Sequence, residues 1–208
     1  MPRYATQPPA AAVDLIVGPR GSGKSKMAAY LSRDVRRFIA WDPLRDRRDL
    51  GAGFWTVDQL EQHKAALREG VVRVAVVQTD WDDPEREFVR FCRCVWEIGA
   101  LYCEIEELSE VCGPSYMPGA LRRLVKLGRH RGIALLCVGQ RFAEDFPKGI
   151  TSAASRIIAF RQSEPADLAA LEKRCGPGTA AACASLPEFH YLDWAPGKGA
   201  VTRPPLAA

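Results

Sequence analysis

The stretch GPRGSGKS, from Gly18 to Ser25, has the spacing G-x-x-x-x-G-K-[ST] and lies between an apolar run and a helical pattern. Its glycines permit tight backbone turns, so that backbone amides can point at phosphate groups. The helix that begins near Lys24 would add the positive end of its dipole. A glycine-rich turn with a surface lysine is the alternative. We interpret the stretch as a P-loop, which predicts a nucleotide site in an α/β fold.

Each part of the P-loop has an expected role toward bound ATP. Lys24 would reach the β- and γ-phosphates, and the Ser25 hydroxyl would hold Mg²⁺. The whole loop is expected to contact the nucleotide, through Gly18, Pro19, Arg20, Gly21, Ser22, Gly23, Lys24 and Ser25.

A second stretch, LYCEIEEL at 101–108, places three carboxylates at the end of an apolar run. Mg²⁺ in a P-loop site needs a nearby carboxylate, which we expect at the end of the strand beside the P-loop strand. Glu106 is predicted to be this metal-side acid, and Glu107 to deprotonate the attacking water. A register with Glu104 on the metal stays open, as does a helix start with solvated glutamates.

Short apolar runs alternate with helical patterns along the chain, which is typical of an α/β fold with a parallel sheet. Most of the runs are continuously apolar, as expected of strands that are covered on both faces. The predicted strands are 13–18, 38–41, 71–78, 100–105, 133–139, 156–160 and a last one at 189–194. The fold class is therefore α/β, with a mostly parallel central sheet flanked by helices on both faces.

The chain of 208 residues is expected to hold one domain, at 13–194. Residues 1–12 are predicted to be a flexible lead-in, and residues 195–208 a flexible tail. No apolar run reaches the length of about 20 residues that spans a membrane, and the proline-containing start does not favour a signal peptide. Seven cysteines without a C-x-x-C pair do not favour zinc and fit a reducing compartment. The predicted location is therefore the cytoplasm.

Several stretches together carry a family resemblance: the P-loop, FIAWDP, EIEEL, GRHRGIALLCVGQRFAEDFPKGI and SRIIAFRQ, in that order. They resemble the HerA–FtsK branch of P-loop ATPases, and within it compact viral genome-packaging ATPases, with zonular-occludens-toxin-like phage proteins as relatives. The likeness covers residues 13–193 and rests less on the two Walker motifs than on the block that ends in VGQR. It implies a RecA-like (ASCE) ATPase that forms a homo-oligomeric ring, usually a hexamer, and pumps DNA.

The resemblance also implies roles for single residues. Gln140 matches the family's polar sensor position, which faces the γ-phosphate. Arg129 matches the position of the arginine finger, which reaches the nucleotide of the neighbouring subunit. Asp42 falls where the family commonly has an acid after the second strand. The metal-side acid is usually Asp in the family, whereas this sequence has Glu106. Arg131 is the second candidate for the finger.

The function predicted from these features is ATP hydrolysis coupled to translocation of double-stranded DNA, most simply the packaging of a phage or viral genome. The formal net charge of +4 is compatible with a polyanionic partner. In a virus the protein would act in the host cytoplasm or on the virion, with a capsid vertex or portal component as a further candidate partner. The alternatives are a nucleotide or small-molecule kinase, and a zonular-occludens-toxin-like assembly or secretion ATPase.

Overall fold

A computed structural model describes residues 12–50 and 53–206 of the chain. The predicted lead-in at 1–12 falls outside these residues except for Ala12, and residues 207–208 of the predicted tail also fall outside them.

Within this described part of the chain, nine strands form one sheet in the order β3-β4-β2-β5-β6-β1-β7-β8-β9. Neighbouring strands from β3 to β7 are parallel, and β8 and β9 continue the sheet antiparallel. The strands are β1 Val13–Val17, β2 Arg37–Trp41, β3 Phe54–Trp55, β4 Val72–Val76, β5 Tyr102–Ile105, β6 Ala134–Gly139, β7 Arg156–Phe160, β8 Tyr191–Ala195 and β9 Gly199–Arg203. The predicted α/β fold with a mostly parallel sheet is confirmed.

Helices cover both faces of this sheet. They are α1 Lys24–Ser32, α2 Val57–His63, α3 Pro84–Ile98, α4 Gly119–Leu127, α5 Phe142–Asp145, α6 Lys148–Ala153, α7 Pro165–Cys175 and α8 Thr179–Ala184. On one face, Met27 of α1 packs with Phe38 and Tyr102. On the other face, Phe88 of α3 and Leu121 of α4 belong to a larger apolar cluster. Because the central strands are buried on both faces, their sequences are continuously apolar.

The longest helix, α3, begins at signals that are visible in the sequence. Asp83 is its N-cap and accepts a hydrogen bond from the backbone N–H of Arg86 at 3.1 Å. Pro84 follows at the first helical position, where its missing N–H costs nothing. The apolar side chains of Phe88 and Phe91 then recur at helical spacing and pack on Trp41 of β2. This helix therefore covers the middle of the sheet.

Two expectations about the sheet were wrong. Strand β5, which ends in the carboxylates, does not lie beside the P-loop strand β1, because β6 lies between them. The prediction of a flexible tail was also wrong for residues 199–203, which form β9 and pair with β8. The sequence from 195 onward has few apolar residues, but backbone hydrogen bonds to β8 hold it in the sheet.

Candidate active site

The carboxyl ends of four neighbouring strands meet at one edge of the sheet, which we call the carboxyl edge. Directly after these ends come Asp42 of β2, Glu106 of β5, Gln140 of β6 and Gly18 of β1. This edge is where ligands bind in open parallel sheets. The fold therefore places the P-loop and the predicted acids on the same side of the molecule.

The P-loop runs from the end of β1 into α1. The Gly18 N–H donates to the Gly139 carbonyl oxygen at 3.3 Å, which ties the loop to β6. A Cβ atom at Gly18 would lie 2.8 Å from the Cβ of Phe160, so the loop can approach β7 only with glycine at this position. Gly23 is the N-cap of α1 with φ of 105°, a left-handed conformation that side chains rarely tolerate. The first N–H groups of a nine-residue helix thus remain available to an anion.

Lys24 crosses the mouth of this loop and faces the acids. Its Nζ donates to the Pro19 carbonyl oxygen at 3.0 Å. Burial lowers the pKa of Lys24, whereas the nearby carboxylates of Glu107, Glu106 and Asp145 favour the charged form. The ammonium group is therefore close to the predicted catalytic acids. A γ-phosphate on the P-loop would lie between this lysine and those acids.

Lys24→Ala is expected to weaken ATP binding about 10- to 100-fold, because a charge-assisted hydrogen bond to phosphate contributes roughly 1.5–3 kcal/mol. The fold should stay intact, since Lys24 does not belong to the apolar core. Isothermal titration calorimetry with ATP measures the loss, and thermal unfolding checks the fold. Lys198→Ala, on the exposed turn between β8 and β9, is the matched control. Unchanged ATP affinity in a folded Lys24→Ala protein would contradict the role of the P-loop.

Glu107 and Gln140 are in contact at the carboxyl edge. The Gln140 Nε2 donates to Oε2 of Glu107 at 3.5 Å, a long hydrogen bond. The Gln140 backbone N–H donates to Oδ2 of Asp145 at 2.6 Å, and the same oxygen accepts from the backbone N–H of Arg141. Glu107 itself has φ of 48° and ψ of 53°, a left-handed conformation that is costly for a residue with a side chain. Strained residues of this kind concentrate at active sites.

Glu104 lies in β5 and Glu106 follows the strand directly, and the two carboxylates have different surroundings. Glu104 is completely buried and forms an ion pair with Arg47. Glu106 is buried as well, and its Oε1, like Oε2 of Glu104, has no hydrogen-bond partner among the described residues. Burial and the neighbouring Glu104 carboxylate hold the pKa of Glu106 well above its usual range. Because Arg47 already engages Glu104, this geometry favours Glu106 as the metal-side acid.

A buried network under the site explains why Glu104 is tolerated in the core. Its partner Arg47 also donates to Ser32 Oγ of α1 at 2.9 Å and to Asp49 at 2.9 Å. The Asp42 carboxylate accepts two backbone N–H groups of the same loop at 2.9 Å, including that of Arg47. The network therefore links the Asp42 loop, the end of α1 and the acid-bearing strand β5.

Neither Arg47 nor Asp145 was identified from the sequence. Arg47 occurs in the charged stretch RDRRD at 45–49, which looks like a solvated loop. Asp145 follows the VGQR block without a spacing that indicates its role. Arg47 pairs with a residue 57 positions away along the chain, which only the folded sheet reveals. Asp145 accepts from backbone N–H groups four and five positions before it, but no sequence motif marks that contact.

Arg47→Met is expected to lower the free energy of unfolding by about 3–5 kcal/mol, because it leaves the Glu104 carboxylate buried without its cation. The double variant Arg47→Met with Glu104→Met should recover much of that loss, since no unpaired charge remains. Urea unfolding measures both, with Arg48→Met at the exposed neighbouring position as control. A loss below 1 kcal/mol would show that the pair does not hold the site together.

The donor set at the carboxyl edge fits a magnesium ion bound together with a nucleotide. Over residues 12–50 and 53–206, no three His, Cys, Asp or Glu side chains form a metal cluster. A cation here would therefore take most of its ligands from phosphate oxygens and water, which is how Mg²⁺ usually binds. The unpartnered Oε1 of Glu106 and the exposed hydroxyl of Ser25 are the oxygens that the protein would add.

Arg129 lies at the opposite edge of the sheet from the P-loop. It is exposed in the short helical turn Gly128–Arg131 before β6, and it lines a groove with Val13 and Ser155, at the starts of β1 and β7. The five residues of β1 separate this edge from Gly18 by about 16 Å, more than an arginine side chain spans. Arg129 therefore does not contact the P-loop of its own chain.

Arg131 is exposed too, but it is held by the same molecule. Its guanidinium donates to the carbonyl oxygens of Trp96 and Glu97 at 3.3 and 3.2 Å, at the end of α3. The side chain also lies 5.9 Å from the centre of the Trp96 ring. Of the two candidates for a finger, Arg129 thus has the side chain that is freer to reach another subunit.

Comparison with solved structures shows the same architecture in a group of ATPases. The genome packaging NTPase B204 of Sulfolobus turreted icosahedral virus 2 in complex with AMP aligns with a TM-score of 0.76 and 18% identity, covering 96% of this chain and 100% of that one. Its complex with ATP-γS also gives 0.76, with 19% identity and coverage of 94% and 98%. This chain therefore shares the fold of these genome packaging NTPase structures. The predicted RecA-like fold is confirmed.

VirB4 of Thermoanaerobacter pseudethanolicus shares this fold as well. It aligns with a TM-score of 0.70 and 14% identity, covering 94% of this chain and 89% of that one. No protein-family model matches the sequence, and no curated protein sequence matches it either. The likeness is therefore one of fold. No helix within the described residues is long and apolar enough to cross a membrane.

Proposed function

We propose that this protein is an ATP-hydrolysing motor that translocates double-stranded DNA and packages a phage or viral genome. The observation that carries the proposal is the convergence of Lys24, Glu107 and Gln140 at the carboxyl edge of a packaging-ATPase fold. A kinase would need a second site for its phosphate acceptor beside the P-loop. Here that position holds a strained glutamate suited to activating water.

The chain's own residues supply each part of a hydrolytic step. The P-loop amides and Lys24 would bind the β- and γ-phosphates. Glu107 would accept the proton of the attacking water, and Gln140 would hold Glu107 in position through its amide. Asp145 would fix Gln140 in turn by accepting its backbone N–H. Mg²⁺ held by Ser25 and Glu106 would neutralise charge on the phosphates.

A ring of identical subunits supplies what one chain lacks. Lys24 serves the phosphates from one side, whereas Arg129 at the far edge is too distant to reach them in its own chain, so as a finger it would act on a neighbouring subunit. In related phosphoryl transfer, such an arginine stabilises the transition state from another chain. We propose a hexamer as the assembly, acting in the host cytoplasm or on the virion, where a capsid vertex or portal component would be its docking partner.

Exposed cations on α4 and the turn after it suit contact with a DNA backbone. Arg122, Arg123, Lys126 and Arg129 are exposed along this segment. Contacts from such residues to phosphates depend little on sequence and weaken steeply with salt. This surface supports double-stranded DNA as the partner.

Double-stranded DNA is expected to stimulate ATP hydrolysis severalfold, and raising salt from about 50 to 200 mM should abolish most of that stimulation. The physical reason is that a motor couples ATP hydrolysis to binding of the DNA backbone phosphates, and salt weakens that binding. Phosphate release with and without DNA of two unrelated sequences measures the effect, and basal hydrolysis at each salt concentration is the control. Lack of stimulation by any DNA would favour an assembly or secretion ATPase. Activity that requires a small phosphate acceptor would favour a kinase.

A further inference from the structure

An apolar cavity of about 230 Å³ lies against the end of the P-loop. Gly23 and Met27 form its wall on the side of α1. Aromatic rings come from Phe160 of β7, Phe189 in the loop before β8 and Tyr191 of β8. Among the described residues that line it, Lys26 carries the one charge. Sites for drug-sized ligands run from about 300 Å³ upward, so this cavity suits a smaller flat group.

Aromatic rings in this cavity touch the P-loop directly. A Cβ atom placed on Gly23 would lie 3.5 Å from a ring carbon of Phe160 and 3.6 Å from one of Phe189. The Phe160 and Tyr191 rings have their centres 5.8 Å apart. Gly23 belongs to the phosphate loop and to the cavity wall alike, so the cavity adjoins the place where a ligand's phosphates would bind.

Phe189 combines a strained backbone with an exposed position beside the P-loop. Its backbone has φ of 59°, a left-handed conformation that is rare for a bulky side chain. The residue is nevertheless 46% exposed, so core packing does not explain the strain. Backbone strain of this kind clusters at active sites and ligand-binding sites.

The segment after β9 closes the cavity on its remaining side. Strand β9 ends at Arg203, and Pro205 and Leu206 then return to line the cavity opposite α1. Leu206 packs against the apolar cluster that contains Met27 and Phe160. The hairpin of β8 and β9 thus brings the end of the described chain back to the P-loop.

We propose that this cavity holds the purine base of the bound nucleoside triphosphate, between the rings of Phe189 and Tyr191 and the wall formed by residues 205–206. The inference rests on the proposed function, because it needs a nucleotide on the P-loop. Stacking of a base on aromatic side chains contributes about 1–3 kcal/mol and accepts every base. A largely apolar wall also discriminates weakly between similar ligands. ATP and GTP should therefore bind with affinities that differ by less than about tenfold.

The test compares ATP, GTP and inorganic tripolyphosphate by isothermal titration calorimetry on four proteins. These are the wild type, Phe189→Ala, a chain that ends at Arg203, and Trp81→Ala as a control on an exposed aromatic residue outside the cavity. Phe189→Ala and the shortened chain should each bind ATP and GTP about tenfold or more weakly, as the stacking energy implies. Their affinity for tripolyphosphate should match that of the wild type, and Trp81→Ala should change nothing.

Each other outcome overturns a defined part of the inference. A wild type that binds tripolyphosphate as tightly as ATP has no base site, although its phosphate site stands. Equal losses for ATP and tripolyphosphate in the variants would show that the residues merely support the fold. Discrimination of more than 100-fold between ATP and GTP would contradict a stacking site that does not read the base edge. A wild type that binds none of the three ligands refutes the proposed function itself.

Discussion

Glu107→Gln is expected to lower ATP turnover by about 10²- to 10⁴-fold while ATP still binds. The amide of glutamine has nearly the shape of the carboxylate but cannot accept a proton from water. Its Oε1 can still accept the hydrogen bond from Gln140 Nε2, so the local geometry should survive. Steady-state phosphate release measures turnover, and calorimetry with ATP measures binding.

The neighbouring glutamates provide controls for this experiment. Glu110→Gln changes an exposed residue three positions on and should leave turnover unchanged. Glu106→Gln should instead raise the Mg²⁺ concentration that half-maximal activity requires, because it removes a negative oxygen from the metal side. Wild-type turnover in a folded Glu107→Gln protein would remove Glu107 from the mechanism. A raised Mg²⁺ requirement in Glu104→Gln but not in Glu106→Gln would favour the other register.

The strands and the P-loop could be predicted because their signals are local. A strand that is buried on both faces is continuously apolar, so IALLCVG at 133–139 identifies β6 without reference to the rest of the fold. The glycine spacing of the P-loop likewise reflects backbone geometry within eight residues. The end of β5 at Ile105 followed from the same kind of pattern, and it placed Glu106 and Glu107 just beyond the strand.

The features that were missed depend on contacts between distant segments. The insertion of β6 between β5 and β1 leaves no trace in the spacing of the strands, yet it decides that Gln140 stands next to Glu107. The role of Glu104 depends on Arg47, whose surrounding sequence is that of an exposed charged loop. Strand β9 is exposed along its length, so its sequence carries no apolar pattern from which to predict it.

The proposed role of Arg129 requires an assembly of subunits. Its own P-loop is at the other edge of the sheet, so any contact with a γ-phosphate must be made in a neighbouring subunit. Arg131, the other candidate, donates hydrogen bonds to carbonyl oxygens at the end of α3. Removing an arginine finger costs about 10³- to 10⁵-fold in related phosphoryl transfer. Arg129→Ala is therefore expected to bind ATP normally and to lose at least about 10³-fold in turnover.

Mixing two inactive variants tests whether that loss occurs between subunits. An Arg129→Ala subunit keeps an intact P-loop, and a Lys24→Ala subunit keeps an intact arginine, so a mixed ring contains some complete sites. Turnover should reappear in the mixture and fall on dilution, as the ring dissociates. Lys126→Ala, which removes an exposed cation three residues before the finger, should be active without a partner. A finger that acts within its own chain allows no rescue, because each variant then has one defective half in every site. If assemblies shown to contain both variants stay inactive at every mixing ratio, Arg129 does not complete a neighbour's site, and Arg131→Ala becomes the variant to mix.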